Sequence, residues 1–275
     1  MWLFFIILGI VQGITEFIPI SSSGHLVLLQ LLWRQPDLGS NELLFFDAIV
    51  HFATLIAVIW VFRRAVLRLI RAVLGYLFET NLTTSQRSHG ARQIMLIIIG
   101  TIPTAIIGLL LKRQIESSFS SSAIVGINLI VTGVLLFWAS SLARQERQAI
   151  TFLEALIIGV AQGLAIFPGI SRSGFTIGTG MILGLRQDIA AEHSFLLAIP
   201  AIVGALLVEI LGLHAHVSPS LIGPYVVGGF FALATGIISL RILLHVLRSR
   251  RLSPFAYYCL AAGIFALFAS KYILA

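Results

Sequence analysis

The sequence predicts an all-α integral membrane protein built as an inverted-topology repeat, with six transmembrane helices and two re-entrant helical hairpins. Three observations carry this prediction. Apolar residues make up 58% of the 275 residues, whereas charged residues make up only 11%. Six stretches are long and apolar enough to cross roughly 30 Å of hydrocarbon. One segment containing Gly, Pro and Ser occurs twice, each time within apolar surroundings.

The repeated segment is residues 12–24, QGITEFIPISSSG, which returns as residues 162–174, QGLAIFPGISRSG, with seven of thirteen positions identical. Inside a membrane such irregular backbone survives only where protein or trapped water satisfies its N–H and C=O groups. Matching broken segments in two halves are typical of inverted-repeat proteins whose site lies where the segments meet.

The elements follow in order along the chain. Pro19 and a serine-rich tip divide residues 1–33, and Pro168-Gly169 divides residues 150–185, so each region predicts a re-entrant hairpin of two short helices. The first region lacks a basic flank and a cleavage site, and we expect it to be retained as a membrane segment. Spans of about 20 residues each are predicted, at about 43–62, 91–111, 122–140, 189–211, 221–240 and 255–273.

Each half of the chain therefore contains one hairpin and three spans. This gives a first repeat at 1–140 and a second repeat at 150–275, within a single membrane domain that covers 1–275. Because three is an odd number, the second repeat is expected to lie upside down relative to the first.

Orientation follows from the arginines, which concentrate in the connection at about 64–90 and in the loops containing Arg144 and Arg250. Such loops are cytoplasmic by the positive-inside rule, which leaves both termini outside. The first hairpin then enters from outside and the second from inside, with their tips approaching near the midplane. Residues at about 63–80 predict an amphipathic helix on the cytoplasmic surface.

Composition also bounds the partners. The single cysteine, Cys259, excludes an intramolecular disulfide and a cysteine metal site. The net charge of +7 comes from basic residues beside apolar spans, not interleaved with aromatic residues on a soluble surface. We therefore expect contact with anionic membrane lipids and no nucleic-acid partner.

Charged and titratable residues in the repeated segments are the candidate site. An ionised side chain at the bilayer centre costs about 2.5 to 3.5 kcal/mol on insertion scales, so Glu16, His25 and Arg172 need partners or a function. Gln12 and Glu16 lie on one helix face, where oxygen donors suit Mg²⁺ or Ca²⁺ completed by substrate phosphate. The alternative is that Glu16 is hydrogen-bonded to the following loop and has a structural role.

The serines before the second helix of the first hairpin form a second feature. Ser21, Ser22 and Ser23 gather hydroxyl and N–H groups at a helix N-terminus, which predicts an anion site. The alternative for any one of them is an ordinary N-cap. His25 could activate a serine, relay a proton or attack phosphorus itself, the alternative being a satisfied core histidine.

Arg172 takes the place of Ser22 in the second copy, within Ser171-Arg172-Ser173-Gly174. A guanidinium beside hydroxyls and helix N–H groups suits a phosphate or pyrophosphate, whereas the alternative is a charge that snorkels to the interface. The acid and the histidine come from one half and the arginine from the other. The sequence therefore predicts one site at the interface of both halves.

Other polar residues at membrane depth have open roles. Asp47 and His51 lie one helical turn apart and are expected to pair with each other. The alternative is that they contact the candidate site. Three further residues fall near predicted helix starts, where the helix dipole stabilises acidic side chains, and are expected to serve there: Glu154, Glu192 and His193. A metal site from His214 and His216 is a weak alternative.

These motifs resemble a known family. Residues 12–25 resemble the (Glu/Gln)-x-x-x-Glu motif and serine-rich loop of the bacterial undecaprenyl-diphosphate phosphatases of the bacitracin-resistance type, and residues 168–174 look like that family's Pro-Gly-x-Ser-Arg-Ser-Gly motif. The resemblance extends over essentially the whole chain. It implies an enzyme of the bacterial inner membrane that hydrolyses undecaprenyl diphosphate, recycles the lipid carrier for cell-wall synthesis and confers bacitracin resistance.

The resemblance also implies roles for individual residues. It implies catalytic roles for Glu16, Ser22, His25 and Arg172, and a divalent cation, Mg or Ca, at Glu16 and Gln12. The residues implied or expected to bind substrate are Gln12, Ser21, Ser23, Ser171, Ser173, Gly174 and Thr176.

Several mechanistic alternatives stay open at this point. Three nucleophiles are open: Ser22, His25 and water. If Ser22 attacks, either His25 or Glu16 accepts its proton. The main alternative function is a lipid-phosphate transporter that uses the same midplane site. We expect the site to be reached from the external face, and the resemblance suggests a homodimer.

Overall fold

The computed structural model describes residues 1–33, 38–77, 84–142, 146–212, 218–248 and 252–272. These residues form twelve helices and no β-strand. In chain order, α1 to α12 are Trp2–Thr15, Ser22–Leu32, Ser40–Val61, Arg63–Leu77, Thr84–Leu110, Lys112–Ser118, Ser122–Ser141, Phe152–Leu164, Arg172–Ile182, Gln187–Gly212, Pro219–Arg248 and Ser253–Tyr272.

Six of these helices, α3, α5, α7, α10, α11 and α12, are long and apolar enough to cross a membrane. They coincide with the six predicted spans, although α11 continues to Arg248, beyond the predicted end at about residue 240. Large apolar side chains remain exposed on these helices; Leu110, for example, is 75% exposed. Such a surface suits lipid and not water, and the chain is a multi-pass membrane protein. The short helix α6 was not predicted.

Each broken segment has a helix on either side of its break, as predicted. Helices α1 and α2 flank residues 16–21, and α8 and α9 flank residues 165–171. Phe17, within the first break, is fully buried and packs on Phe195 of α10, with ring centroids 5.8 Å apart. The first break is therefore anchored in the largest apolar core of the protein.

The first helix of each pair packs on a span from the other half of the sequence. Helix α1 packs on α11, and α8 packs on α5. The approach is close in both cases: a methyl group added at Gly9 would lie 2.1 Å from the carbonyl oxygen of Gly228, and one added at Gly159 would lie 2.2 Å from that of Gly100. Helices α7 and α12, the third spans of the two halves, pack on each other.

Helix α4 occupies the segment where a surface helix was predicted. Its apolar residues Leu67, Ile70 and Leu74 are exposed along one side, at helical spacing. The arginines at 64, 68 and 71 follow a second row. Residues 78–80 of the predicted helix lie outside the described residues, and its location on a membrane surface stays a prediction.

The observed helix starts show whether Glu154, Glu192 and His193 lie in the first turn of a helix, as predicted. Glu154 caps α8: its carboxylate accepts from the backbone N–H of Thr151 at 2.8 Å, in a capping box that confirms its predicted role. The same prediction is wrong for Glu192 and His193, because α10 begins at Gln187 and both residues lie beyond its first turn. Glu192 is instead 3.0 Å from Arg68 of α4 in an ion pair.

Candidate active site

The two breaks end in the same local structure. At the start of α2 the Ser21 hydroxyl accepts from the N–H of Gly24 at 3.2 Å, and at the start of α9 the Ser171 hydroxyl accepts from the N–H of Gly174 at 3.1 Å. The N-cap alternative is therefore confirmed for Ser21, and Ser171 caps α9 in the same way. Substrate contact by Ser21, Ser171 and Gly174 stays a prediction.

Backbone geometry at the breaks is unusual in two places. Ser21 has φ of 71°, the one positive φ of a non-glycine residue in the described part of the chain. Strain of this kind costs about 1 to 3 kcal/mol and persists where the surroundings over-determine it. Gly169 has φ of +93°, and an added methyl group would lie 2.4 Å from the carbonyl oxygen of Val125, so only glycine fits there.

Helix α7 satisfies the backbone of the second break. The Asn128 side chain donates to the carbonyl of Pro168 at 2.7 Å. The Thr132 hydroxyl donates to the carbonyl of Gly169 at 3.2 Å and accepts from the N–H of Ser171 at 3.1 Å. Two polar side chains on a largely apolar helix thus supply the partners that the irregular backbone of the second break needs.

The two breaks touch each other. A methyl group added at Gly24 would lie 3.0 Å from the Cα of Gly169, and one added at Gly174 would lie 3.4 Å from the Cβ of Pro19. The segments that are 150 positions apart in sequence therefore meet in space, which brings the candidate residues of both halves together.

Glu16 is the centre of the candidate site. Its carboxylate is 2.5 Å from Nη2 of Arg172, accepts from the Ser22 hydroxyl at 2.6 Å, and accepts from the Gln12 amide at 3.1 Å. Glu16 is only 7% exposed, and the Arg172 side chain is 14% exposed. The structure therefore joins an acid, a hydroxyl and a guanidinium in one buried cluster.

Two buried polar atoms of this cluster lack a hydrogen-bond partner among the described residues. They are Nη1 of Arg172, a donor, and Oε1 of Gln12, an acceptor. Leaving such a group unpaired costs about 1 to 3 kcal/mol, and more for a charged group. Buried polar atoms are almost always paired, so both atoms are available to a ligand: the guanidinium to an anion and the amide oxygen to a cation.

His51 is a member of the site whose contribution the sequence left open. Its Nε2 lies 4.0 Å from the Glu16 carboxylate. Its Nδ1 lies 2.7 Å from the backbone carbonyl of Asp47, which makes Nδ1 the donor and turns Nε2 toward Glu16. The Asp47 carboxylate accepts from the Gln30 amide at 3.2 Å. Asp47 and His51 were expected to pair, and the contact between them joins the His51 ring to the backbone carbonyl of Asp47.

His25 is directed away from the acid. Its Nδ1 lies 2.7 Å from the carbonyl of Ser21 and its Nε2 lies 2.7 Å from the hydroxyl of Tyr258, whose ring stacks on the imidazole. Within the described part of the chain no hydrogen bond joins His25 to Ser22 or Glu16. Tyr258, on the last span, was missed because nothing in the sequence connects it with a loop more than 200 positions earlier.

The remaining predicted residues of the second break are held by neighbours. The Ser171 and Ser173 hydroxyls are 3.3 Å apart, just as those of Ser21 and Ser23 are 3.4 Å apart. The Thr176 hydroxyl donates to the carbonyl of Arg172 at 2.8 Å. These contacts fix the turn that carries Arg172, and substrate contact by Ser23, Ser173 and Thr176 stays a prediction.

A divalent cation is compatible with the residues present. The described residues contain no group of three or more His, Cys, Asp or Glu that could enclose a metal. Mg²⁺, however, is often held by one or two carboxylates while substrate phosphate and water complete the shell. Glu16 and the open Oε1 of Gln12 match that limited donor set. The weak alternative of a metal site at His214 and His216 falls on residues outside those that the structure describes.

Comparison with known proteins adds independent information. Residues 5–265 match the family model described as bacitracin resistance protein BacA. A protein named undecaprenyl-diphosphatase from Korarchaeum cryptofilum is 44% identical over 260 residues, covering 94% of this chain and 95% of that protein. Proteins of the same name from Carboxydothermus hydrogenoformans and Methanosphaera stadtmanae are 41% and 40% identical, covering 94% and 96% of each chain.

Proposed function

The chain belongs to the family of the bacitracin resistance protein BacA, and from that membership we propose that it is an undecaprenyl-diphosphatase of the membrane. It hydrolyses undecaprenyl diphosphate to undecaprenyl phosphate and inorganic phosphate, which recycles the lipid carrier for cell-wall synthesis and confers bacitracin resistance. The observation that carries this function is the buried, unpartnered Nη1 of Arg172 beside the hydrogen-bonded Ser22 and Glu16. The transporter alternative is not favoured, because the relatives are named as diphosphatases.

Ser22 is the nucleophile that the hydrogen bonding supports best. Its hydroxyl already donates to the Glu16 carboxylate at 2.6 Å, the geometry of a nucleophile and its general base. As the Ser22 oxygen bonds to the terminal phosphorus, its proton passes to Glu16 and the bond to the bridging oxygen breaks. Undecaprenyl phosphate leaves, and water then hydrolyses the phosphoserine to release inorganic phosphate.

Arg172 links substrate charge to this proton transfer. In the free protein its Nη2 is engaged by Glu16, while Nη1 is open to an anion. When Glu16 accepts the proton of Ser22, its negative charge disappears and its hold on the guanidinium weakens. Arg172 can then turn fully to the phosphate oxygens, where negative charge accumulates in phosphoryl transfer.

Gln12 and Glu16 are the residues that would hold a divalent cation, and the cation would supply charge neutralisation at the diphosphate oxygens. His51, 4.0 Å from Glu16, is a further neighbour, which stabilises the carboxylate when its Nε2 carries a proton. We assign His25 to positioning the serine-rich turn, since its Nδ1 is engaged by the Ser21 carbonyl and its Nε2 by the Tyr258 hydroxyl. The two rival mechanisms are direct attack on the terminal phosphorus by His25 and direct attack by water.

The finer architecture belongs to the same proposal. We take the two broken pairs as re-entrant hairpins of an inverted repeat, with the site reached from the external face and a homodimer as the assembly. The reciprocal packing supports the repeat: α1 packs on α11 just as α8 packs on α5, and α7 packs on its counterpart α12. An arrangement related by a twofold axis has this reciprocity.

The test is phosphate release from undecaprenyl diphosphate by the purified protein in detergent, followed by trapping with substrate labelled at the terminal phosphate. Label at Ser22 supports the mechanism. Label at His25 would replace Ser22 as nucleophile, and absence of label during turnover would indicate direct attack by water. Absence of phosphate release from the diphosphate would overturn the proposed function itself.

A further inference from the structure

A second polar cavity lies between α4, α5 and α10, lined by residues that are separate from the candidate active site. Its volume is about 580 Å³. Three arginines, two histidines and one carboxylate are among its described lining residues: Arg68, Arg71, Arg92, His89, His193 and Glu192.

The charge of this cavity is positive. Its one carboxylate among the described lining residues, Glu192, is 3.0 Å from Arg68 and is compensated by it. Arg71 and Arg92 then face the cavity with no second acid in its described lining. Arg92 is held in place because its Nη2 donates to the carbonyl of Ile150 at 2.5 Å. Two guanidinium groups at one concave surface are suited to a phosphate or carboxylate anion.

His193 supplies an independent sign of a ligand. It lines the cavity, is only 4% exposed, and its Nε2 has no hydrogen-bond partner among the described residues. Buried polar atoms without partners are rare in folded proteins and each calls for an explanation. A phosphate oxygen in the cavity would accept from this nitrogen when it carries a proton, and the nitrogen would then have a partner.

The surroundings connect the cavity with lipid. Helix α4, which forms one wall, carries the exposed apolar residues Leu67, Ile70 and Leu74. A helix with a basic row and an exposed apolar row is typical of one that lies in the membrane interface. A lipid whose headgroup enters the cavity could lay its acyl chains along that apolar row. Basic pockets at a membrane surface bind anionic headgroups in this manner.

We propose that this cavity is a second anion site, which binds a phosphate ester through Arg71, Arg92 and His193. The phosphate is carried by the headgroup of an anionic membrane lipid or arrives as free inorganic phosphate. The site is independent of the proposed hydrolysis, whose residues lie on α1, α2, α3 and α9 and in the two breaks.

The experiment compares wild type with Arg71→Gln and Arg92→Gln in nanodiscs of phosphatidylcholine and phosphatidylglycerol, with bound lipid counted by native mass spectrometry. The matched control is Arg241→Gln, an exposed arginine of α11 that does not line the cavity. Losing one charged hydrogen-bond donor should weaken phosphatidylglycerol retention about tenfold. The control should retain lipid like wild type, and diphosphate hydrolysis should be unchanged in all variants.

A second arm identifies the source of the phosphate. Delipidated protein in detergent is titrated with inorganic phosphate, and binding is followed by thermal stabilisation. Retention of phosphatidylglycerol that phosphate does not displace supports the lipid headgroup, whereas saturable stabilisation by phosphate that is lost in both variants supports free phosphate. Equal lipid retention and equal phosphate response in wild type, Arg71→Gln and Arg92→Gln would overturn the proposal. Arg71→Gln keeps the test valid if Arg92→Gln loses stability with its bond to Ile150.

Discussion

Arg172 and Glu16 form a buried ion pair, with 2.5 Å between Nη2 and Oε1, across 156 positions of sequence. The arginine belongs to α9 and the acid directly follows α1, so the pair joins the two broken segments. A buried pair of this kind contributes less net stability than its Coulomb attraction suggests, because both charges lose their hydration. Its value lies in holding an acid, a hydroxyl and an anion-binding group at one point.

Removing one member of the pair should destabilise the protein more than removing both. Arg172→Met or Glu16→Gln alone leaves an uncompensated or unpaired buried group, at a cost of about 3 to 5 kcal/mol when a charge is left unpaired. The double variant should recover much of that loss while remaining inactive. Thermal unfolding in detergent measures the stability, and a double variant as unstable as the sum of the two singles would contradict the coupling.

Ser22 and Ser23 offer a matched pair of hydroxyls. Ser22→Ala should lower the hydrolysis rate at saturating substrate by about 10³-fold or more, as for other nucleophile deletions. Ser23→Ala should lower it by less than about tenfold, since one hydrogen bond of modest strength is lost. Initial rates of phosphate release from undecaprenyl diphosphate separate the two. Full activity in Ser22→Ala would remove this residue from the mechanism.

Glu16→Gln tests the role of general base directly. The amide keeps the size of the side chain but cannot take up the Ser22 proton, so the rate should fall by about 10² to 10⁴-fold. Glu16→Asp, which keeps the carboxylate on a shorter side chain, should lose less. The comparison is made at saturating substrate, and a Gln variant as active as wild type would show that proton acceptance at this position is not required.

The cation proposal predicts a gain as well as a loss. A chelator should abolish hydrolysis, and added Mg²⁺ or Ca²⁺ should restore it. Gln12→Glu adds a second carboxylate beside Glu16 and should lower the cation concentration needed for half-maximal activity, because hard cations bind more tightly as ligand charge increases. Activity that persists after exhaustive chelation, with no shift in Gln12→Glu, would argue against a metal at these residues.

Helix α7 should control the shape of the second break. Thr132→Val removes the hydroxyl that serves both the Gly169 carbonyl and the Ser171 N–H, and should cost about 1 to 3 kcal/mol for each buried group left unpaired. Thr132→Ser keeps the hydroxyl and is the control. Stability and hydrolysis should fall together in the first variant and stay near wild type in the second. Near-wild-type stability and hydrolysis in Thr132→Val would show that this hydroxyl is not needed.

The sequence predicted the helices well because helix formation in a membrane depends on local properties. Six spans are recognisable from about 20 apolar residues in a row. The breaks are recognisable from Pro19 and Pro168-Gly169 beside serine-rich segments, a combination that disfavours a continuous helix. The N-cap alternative for Ser21 was also predictable, since a cap bonds to its own next turn. The start of α10 was placed too late by two residues, and this made the dipole role of Glu192 and His193 wrong.

The contacts of the candidate site were predictable only in part. The divergence of the two copies, with Glu16 in one and Arg172 in the other, indicated a site shared by both halves, and the structure does join these residues. It also turns His25 to Tyr258 and brings His51 to Glu16. Neither contact has a local signal, because each depends on which face of a distant span packs against the break.

The amino-acid sequence is enough to identify this protein as an all-helical membrane protein of the BacA family, to show where its helices break, and to show which residues carry charge at those breaks. These properties arise from hydropathy, Pro and Gly content and short motifs, all of which act over a few neighbouring residues. That Glu16 accepts from Ser22 and Arg172 together is visible only in the folded chain. The direction of a buried side chain depends on the packing of helices far apart in sequence, and no local pattern contains that information.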